Sequence, residues 1–235
     1  MPGRRAVLAA AAAAFVPPAG AAGGNPAGGA ATSMPATSMP ATGMPATGAL
    51  RFRLLREGAV IGSHTLLFQP APDGFSIAIA VEIAVRFGPL VLFRYRLRGS
   101  ETWQGGRCVA ADSLADDDGT EQTMRATRDS SGLWVEGTGT PRYLAPADAL
   151  VASHWNQEEL RGPWINLQNG TLLHPRVTPL GADPALTASG TRVPANCFAV
   201  TGPARMRLWY TPAQVWTGLV FDARDGSEVR YERMI

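Results

Sequence analysis

Few side chains in this protein could do chemistry, and they are scattered. The imidazoles are His64, His154 and His174, and none stands at the close spacing of a zinc site, such as the helical i, i+4 pair. Ser153 precedes His154, but adjacent residues seldom present both side chains to one point, and the sequence contains no Gly-x-Ser-x-Gly elbow. Asp116, Asp117 and Asp118 offer oxygens to a hard cation such as calcium. They lack the later acidic ligand of an EF-hand loop, and alternation sends Asp117 to the face opposite its neighbours, so a solvated hairpin turn is expected there. Phosphate-cradling glycine loops are absent. No catalytic residue, metal or cofactor is therefore assigned.

The elements that must position these residues follow from hydrophobic period. From Leu50 the chain runs in short alternating stretches broken by turn pairs. The clearest has Phe75, Ile77, Ile79, Val81, Ile83, Val85 and Phe87 on one face, with Ser76, Ala78, Ala80, Glu82, Ala84 and Arg86 on the other. After Gly88-Pro89, Val91, Phe93, Tyr95 and Leu97 alternate with Leu92, Arg94, Arg96 and Arg98. The apolar faces coincide if Phe87 pairs with Val91 through a three-residue loop, which sets Glu82 opposite Arg96 as an exposed ion pair. Further turns fall at Glu57-Gly58, Asp73-Gly74, Gly105-Gly106, Asp118-Gly119, Ser131-Gly132, Asn169-Gly170 and Asp225-Gly226.

This spacing predicts an all-β fold of roughly eleven to thirteen strands in a strongly curved antiparallel meander, a barrel or half-barrel, over residues 50–235. No β-helix-β alternation argues for a parallel sheet. One short helix is expected near residues 156–161. Asn156 is its N-cap, Glu158 and Glu159 sit in its first turn, Gly162-Pro163 ends it, and Asn156 to Glu159 has capping-box spacing.

The first 22 residues read as an export signal. Arg4-Arg5 precedes an apolar run from Ala6 to Val16, and small residues suited to cleavage follow at Ala19-Gly20-Ala21. That run is too short to span a bilayer, and the paired arginines approximate a twin-arginine signal. Residues 23–49 are almost wholly Gly, Ala, Pro, Ser, Thr and Met, with a five-residue repeat beginning at Met34, Met39 and Met44. Such a segment buries too little surface to offset its ordering entropy and is expected to be a disordered tether. Thioethers suit copper(I), but a plain tether is the simpler reading. The expected location is the periplasm or the exterior. Cys108 and Cys197 would there meet an oxidising compartment, and both a disulfide and two buried thiols are open to them.

Charge excludes one class of partner. The protein has 21 basic residues, all arginine, and 19 acidic ones. Arg4 and Arg5 lie in the leader and every acidic residue lies at or after Glu57, so the folded part is formally neutral. With no arginine-dense stripe or basic helix, nucleic-acid binding is not expected. Nor does any segment beyond the leader have the ~20 apolar residues of a membrane-spanning helix.

Four stretches together resemble a known family: Ile61-Gly62-Ser63-His64, Asp116-Asp117-Asp118-Gly119, Ser153-His154-Trp155-Asn156 and Leu208-Trp209-Tyr210. The family comprises exported proteobacterial proteins described only as a domain of unknown function, and the likeness spans Leu50 to Tyr231. Its usual Ser-Tyr-Trp-Asn-Pro motif here has His154 for the tyrosine and Gln157 for the proline. The departure leaves the helix start intact. The resemblance implies an exported β-rich fold and supplies no activity. A looser similarity, at the level of fold, is to periplasmic half-barrel carriers of lipids or lipoproteins.

The leading functional expectation is a non-enzymatic periplasmic binding protein for an apolar or lipid-like ligand. His64 falls on the apolar face of the first hairpin, either as a ligand or acid–base group or as a core residue with its hydrogen bonds satisfied. Aromatic surface concentrates in the C-terminal half at Trp155, Trp164, Trp209, Tyr210 and Trp216, which suits either an amphipathic ligand or a β core. The candidate ligand-binding residues are His64, Ser153, Trp155, Asn156, Trp209 and Tyr210, with Trp155 and the helix closing one end of the sheet. The alternatives are an acid–base enzyme using His64 or His154 with an aspartate, and a structural or interaction protein of the cell envelope.

Overall fold

A computed structural model describes residues 45–223 and 225–235. The expected leader, the methionine repeat and the tether up to residue 44 lie outside the described residues. Eight strands follow one another through short turns: β1 (Ala49–Arg56), β2 (Ala59–Ala71), β3 (Gly74–Phe87), β4 (Leu90–Gln104), β5 (Arg107–Asp117), β6 (Thr120–Asp129), β7 (Gly132–Gly137) and β8 (Thr140–Leu144). A connecting segment then holds β9 (Leu150–Val151), a 3₁₀ helix (Gln157–Arg161), β10 (Trp164–Ile165) and β11 (Leu172–Leu173). The chain returns to strand with β12 (Arg176–Ala182), a small ribbon of β13 (Ala185–Leu186) and β14 (Arg192–Val193), then β15 (Asn196–Thr201), β16 (Met206–Tyr210), β17 (Trp216–Asp222) and β18 (Glu228–Arg233).

Thirteen of these strands form one curved antiparallel sheet, ordered β12-β15-β16-β17-β18-β1-β2-β3-β4-β5-β6-β7-β8. The all-β half-barrel expected from the alternation is thus the observed architecture. Its first and last strands, β1 and β18, pair in the middle of the sheet, Phe52 facing Arg233 and Leu54 facing Tyr231. The edges, β8 and β12, do not meet, so the barrel stays open.

Strand alternation holds closely. Along β3, Phe75, Ile77, Ile79, Val81, Ile83 and Val85 are buried while the intervening residues reach the outer surface. Arg94 and Arg96 point outward, as the register argument requires. The β3–β4 turn itself differs from expectation. Phe87 pairs with Leu90, not Val91, across a two-residue turn at Gly88-Pro89, and a bulge between Val85 and Arg86 restores the register so that Glu82 still faces Arg96. The bulge absorbs the one-residue slip that a tight turn would otherwise impose. Glu82 forms its ion pair diagonally, with Arg98 at 3.3 Å.

The connecting segment fills the concave side of the sheet. Val151, Ala152, Trp155, Trp164, Ile165, Leu167 and Leu173 join a single core with Phe52, Leu66, Tyr95, Leu97 and Trp216. β9 runs parallel to β10, which pairs antiparallel with β11, giving this segment a small three-stranded sheet of its own. Ser113 Oγ on β5 donates to the carbonyl of Leu167, stapling it to the large sheet. Trp155, expected at a mouth, is 1% exposed in the centre of the core.

Candidate functional site

Two regions hold the side chains of interest: a closed polar cluster beneath the connecting segment, and a crevice at one end of the sheet.

The cluster starts at Ser153-His154-Trp155-Asn156. His154 has a left-handed backbone, φ 67°, an uncommon conformation for a non-glycine residue that surrounding contacts must hold in place. Those contacts come from Glu159. Its carboxylate receives the backbone N–H of His154 at 3.1 Å and lies 2.6 Å from His154 Nδ1. Tyr210 closes the arrangement from β16, its hydroxyl donating to the His154 carbonyl at 2.9 Å. Trp164 donates its indole N–H to the Glu159 carbonyl at 2.7 Å.

Asn156 caps the 3₁₀ helix, accepting from the backbone N–H of Glu158 at 3.1 Å. The capping box suggested by spacing does not form. Glu159 is buried and turned toward His154, so its side chain does not return to the Asn156 backbone.

Glu101, at the inner face of β4, is a second buried carboxylate. It accepts from the indoles of Trp103 at 2.7 Å and Trp155 at 3.3 Å. Burial raises its pKa above the usual carboxylate range, against the opposing pull of the Ser153, Trp103 and Trp155 donors.

His64 sits opposite Phe52 on β1 and Val81 on β3. Its ring lies 5.3 Å from Trp216 and 5.8 Å from Tyr231, both edge-on. Neither ring nitrogen has a hydrogen-bond partner. Burial, with a smaller contribution from His154, pushes its pKa down to about 3, so the ring is neutral at pH 7. Trp216 lies between the two histidines, 5.6 Å from His154.

Trp209 belongs elsewhere. Strand alternation turns it away from its neighbour Tyr210 and onto the convex face, where it packs with Cys197, Val220, Ala185 and Ala195. Its indole donates to Asp183 at 2.9 Å. Of the six candidate residues, the structure gathers His64, Ser153, Trp155 and Tyr210 on the inner face, uses Asn156 as a cap and separates Trp209. The three aspartates do not share one solvated turn: Asp116 and Asp117 end β5, Asp117 is buried on the inner face, and only Asp118 lies in the two-residue turn, where Asp116 accepts from the Gly119 N–H at 2.7 Å. No cluster of potential metal ligands occurs among the described residues. Cys108 and Cys197 are both free and buried, in different hydrophobic clusters.

Sequence reasoning missed Glu101 and Glu159 as members of the cluster. A signal for Glu101 was present: continuing Phe93, Tyr95 and Leu97 in steps of two passes through Gly99 to Glu101 and Trp103 on the apolar face. Glu159 carried no such signal, because its first-turn position accounts equally well for a solvated acid.

The second region is a crevice of about 600 Å³ between the β4–β5 turn, the β6–β7 turn and residues 144–150. Trp103, Cys108, Leu133, Ala145 and Ala149 give it an apolar floor. Arg107 and Arg128 stand at its rim, and Arg128 donates from Nε to the Cys108 carbonyl at 2.7 Å. Asp129 is also at the rim but is engaged within its own turn, accepting from Ser131 N–H at 2.7 Å and from the Trp134 indole at 2.9 Å. Trp103 connects the crevice to the core, stacking on Phe75 at 6.0 Å and meeting the edge of Trp155 at 5.2 Å.

An open, barrel-like antiparallel sheet folded around a segment of its own chain defines this class of protein. The chain belongs to the family described as Domain of unknown function (DUF6134), whose model matches residues 52–234. A crystal structure of a beta-barrel-like protein of another domain of unknown function, DUF1849, from Brucella abortus is similar to it. That similarity has a TM-score of 0.56 at 8% identity, over 79% of this chain and 94% of the other. At this identity the likeness shows the fold alone. No curated protein matches the chain.

Proposed function

We propose that the protein is an exported, non-enzymatic binding module whose ligand is an apolar, lipid-like molecule with an anionic end, held in the crevice beside Trp103. The observation that carries this reading is the crevice itself. Its volume of about 600 Å³ falls in the range of small-molecule sites, roughly 300–1,000 Å³. An acyl or similar chain in the crevice would cover the exposed side chain of Leu144 and the small parts of Trp103, Leu133 and Ala145 that still meet water, at about 25 cal/mol per Å² of apolar surface. A carboxylate or phosphate at its end would meet the Arg107 and Arg128 guanidinium groups. Export is supported by the charged head and apolar run of the leader.

The buried cluster favours a supporting role over acid–base catalysis. His64 and His154 are 2% and 4% exposed, and a general acid or base must come within hydrogen-bond reach of its substrate. A substrate would first have to displace the connecting segment. Ser153, Trp155 and Glu101 instead hold Trp103 from behind, and so shape the crevice floor.

Native mass spectrometry of the full chain, purified without detergent, should show a bound lipid-like molecule. A fluorescent fatty-acid analogue should bind saturably, and Ala147→Trp, which fills the crevice from an exposed position, should remove that binding. Replacing Arg107 and Arg128 together by Gln should weaken the anionic analogue about tenfold and spare an uncharged one. No adduct and no saturable binding would sink the reading.

A further inference from the structure

We propose that the tip of the β3–β4 hairpin is a docking surface for an anionic lipid bilayer. Elsewhere on the sheet, exposed large apolar side chains such as Val60, Leu114 and Leu180 stand singly on separate strands, and alternation keeps the rest inside. At this tip it fails: Phe87 is 75%, Leu90 62%, Leu92 52% and Val91 38% exposed. The local geometry is the cause. The bulge between Val85 and Arg86 places the extra residue on β4, so Val91 and Leu92 both reach solvent before Phe93 resumes the inward face. From Phe87 to Leu92 the six residues, Phe-Gly-Pro-Leu-Val-Leu, carry no charge. Contiguous apolar surface at a projecting turn, rimmed by polar groups, marks an interaction site.

Charge selects the partner. Arg86, Arg94 and Arg96 line a shallow groove of about 290 Å³ immediately behind the tip, on the outer face. Glu82, the acid in that groove, is paired with Arg98. Asp118 on the neighbouring turn accepts from the Arg94 backbone N–H at 3.3 Å. The three guanidinium groups therefore flank the apolar wedge on its outer side, with Asp116 facing Arg96 across the β4–β5 pair. Such a pairing suits lipid phosphates above acyl chains, with side chains of the wedge below the headgroups and arginines level with them. β4 begins at this tip and ends at the crevice, so the docking surface and the proposed ligand site lie at opposite ends of a 15-residue strand. The inference goes beyond the binding reading, and each can fail alone.

Flotation of the full chain with vesicles of phosphatidylglycerol and phosphatidylethanolamine tests it. The protein should float with these vesicles and not with pure phosphatidylcholine, and raised salt should reduce the bound fraction. Replacing Phe87 and Leu90 by Ser should lower the partition coefficient at least tenfold, and replacing Arg94 and Arg96 by Gln should do likewise, with melting temperatures unchanged. The apolar run Ala6–Val16 is common to all these proteins, so the differences report the tip. In Leu90→Trp, excited selectively by difference from the parent, emission should shift to the blue on adding anionic vesicles. Equal partitioning of parent and variants would overturn the proposal. So would parent protein that ignores vesicles, including the case in which it dimerises through the tip and the variants do not.

Discussion

The Nδ1 of His154 lies 2.6 Å from Oε1 of Glu159, with both side chains buried beneath the segment that fills the concave sheet. The same carboxylate receives the His154 N–H. One acid thus holds both the ring and the left-handed backbone of the residue at the centre of the Ser153-His154-Trp155-Asn156 motif. That relationship ties the connecting segment to Tyr210 on β16 and explains how an irregular stretch can serve as core.

Glu159→Ala should be severely destabilising. Removing one member of a buried pair leaves the other without its partner and typically costs about 3–5 kcal/mol. At roughly 2–4 °C per kcal/mol for a domain of this size, the melting temperature should fall by roughly 6–20 °C. Glu159→Gln keeps an acceptor for the His154 N–H and should cost distinctly less. Equal losses in a thermal melt would mean that filling space, not the contact with His154, is what Glu159 supplies.

His64 and Glu101 should give stability opposite dependences on pH. Because burial depresses His64 to about 3, the unfolded chain holds a proton on it between about pH 6.5 and 3 that the native protein does not. Stability must therefore fall as pH drops through that window and be indifferent to His64 above it. Glu101 has a raised pKa, so the native state holds the extra proton, and its contribution is lost as pH rises from about 4.5 through the folded value. Denaturation of His64→Leu and the parent protein from pH 4 to 7 should differ in slope by on the order of 1 kcal/mol per pH unit. Parallel curves would show that His64 is charged in the folded protein.

Gly62, two residues before His64, should not accept a side chain. A Cβ there would stand 2.0 Å from the Glu82 carbonyl oxygen on the paired strand. The obstacle is backbone, so β2 and β3 would have to part. Gly62→Ala should destabilise by about 1–3 kcal/mol, the usual range for overpacking. Ser63→Ala, at an exposed position next to it, should stay within about 0.5 kcal/mol.

The two cysteines should remain thiols. Cys108 belongs to the large core and Cys197 to the separate convex-face cluster of Trp209 and Val220. Burial raises both pKa values and suppresses the reactive thiolate. Protein unfolded without reductant should titrate with two thiols per chain, and reductant should leave the melting temperature unchanged. A dithiol titre of zero would place a disulfide where the structure has none.

Much of the fold was legible because strand alternation is a local code. Phe75 to Val85 declares its inner face in every second residue, and the turn pairs at Glu57-Gly58 and Asp118-Gly119 adopt positive φ at both positions, as tight hairpins demand. Trp209 and Tyr210 were harder, since adjacent aromatics on a strand must take opposite faces and nothing local says which is inner. The β3–β4 turn resisted for a related reason: a two-residue turn with a bulge and a three-residue turn without one bring the same faces together.

The sequence by itself determined an all-β meander from Leu50 onward, the outward set of Arg94 and Arg96, the cap at Asn156 and the family to which these motifs point. Only the tertiary structure decided what lies inside the sheet. Glu101, His64 and Tyr210 meet the Ser153–Glu159 stretch from positions 51 to 90 residues away along the chain, and no periodicity reports on contacts at such separations. An alternating pattern specifies which face is buried, but the groups that bury it are chosen by the path of the whole chain.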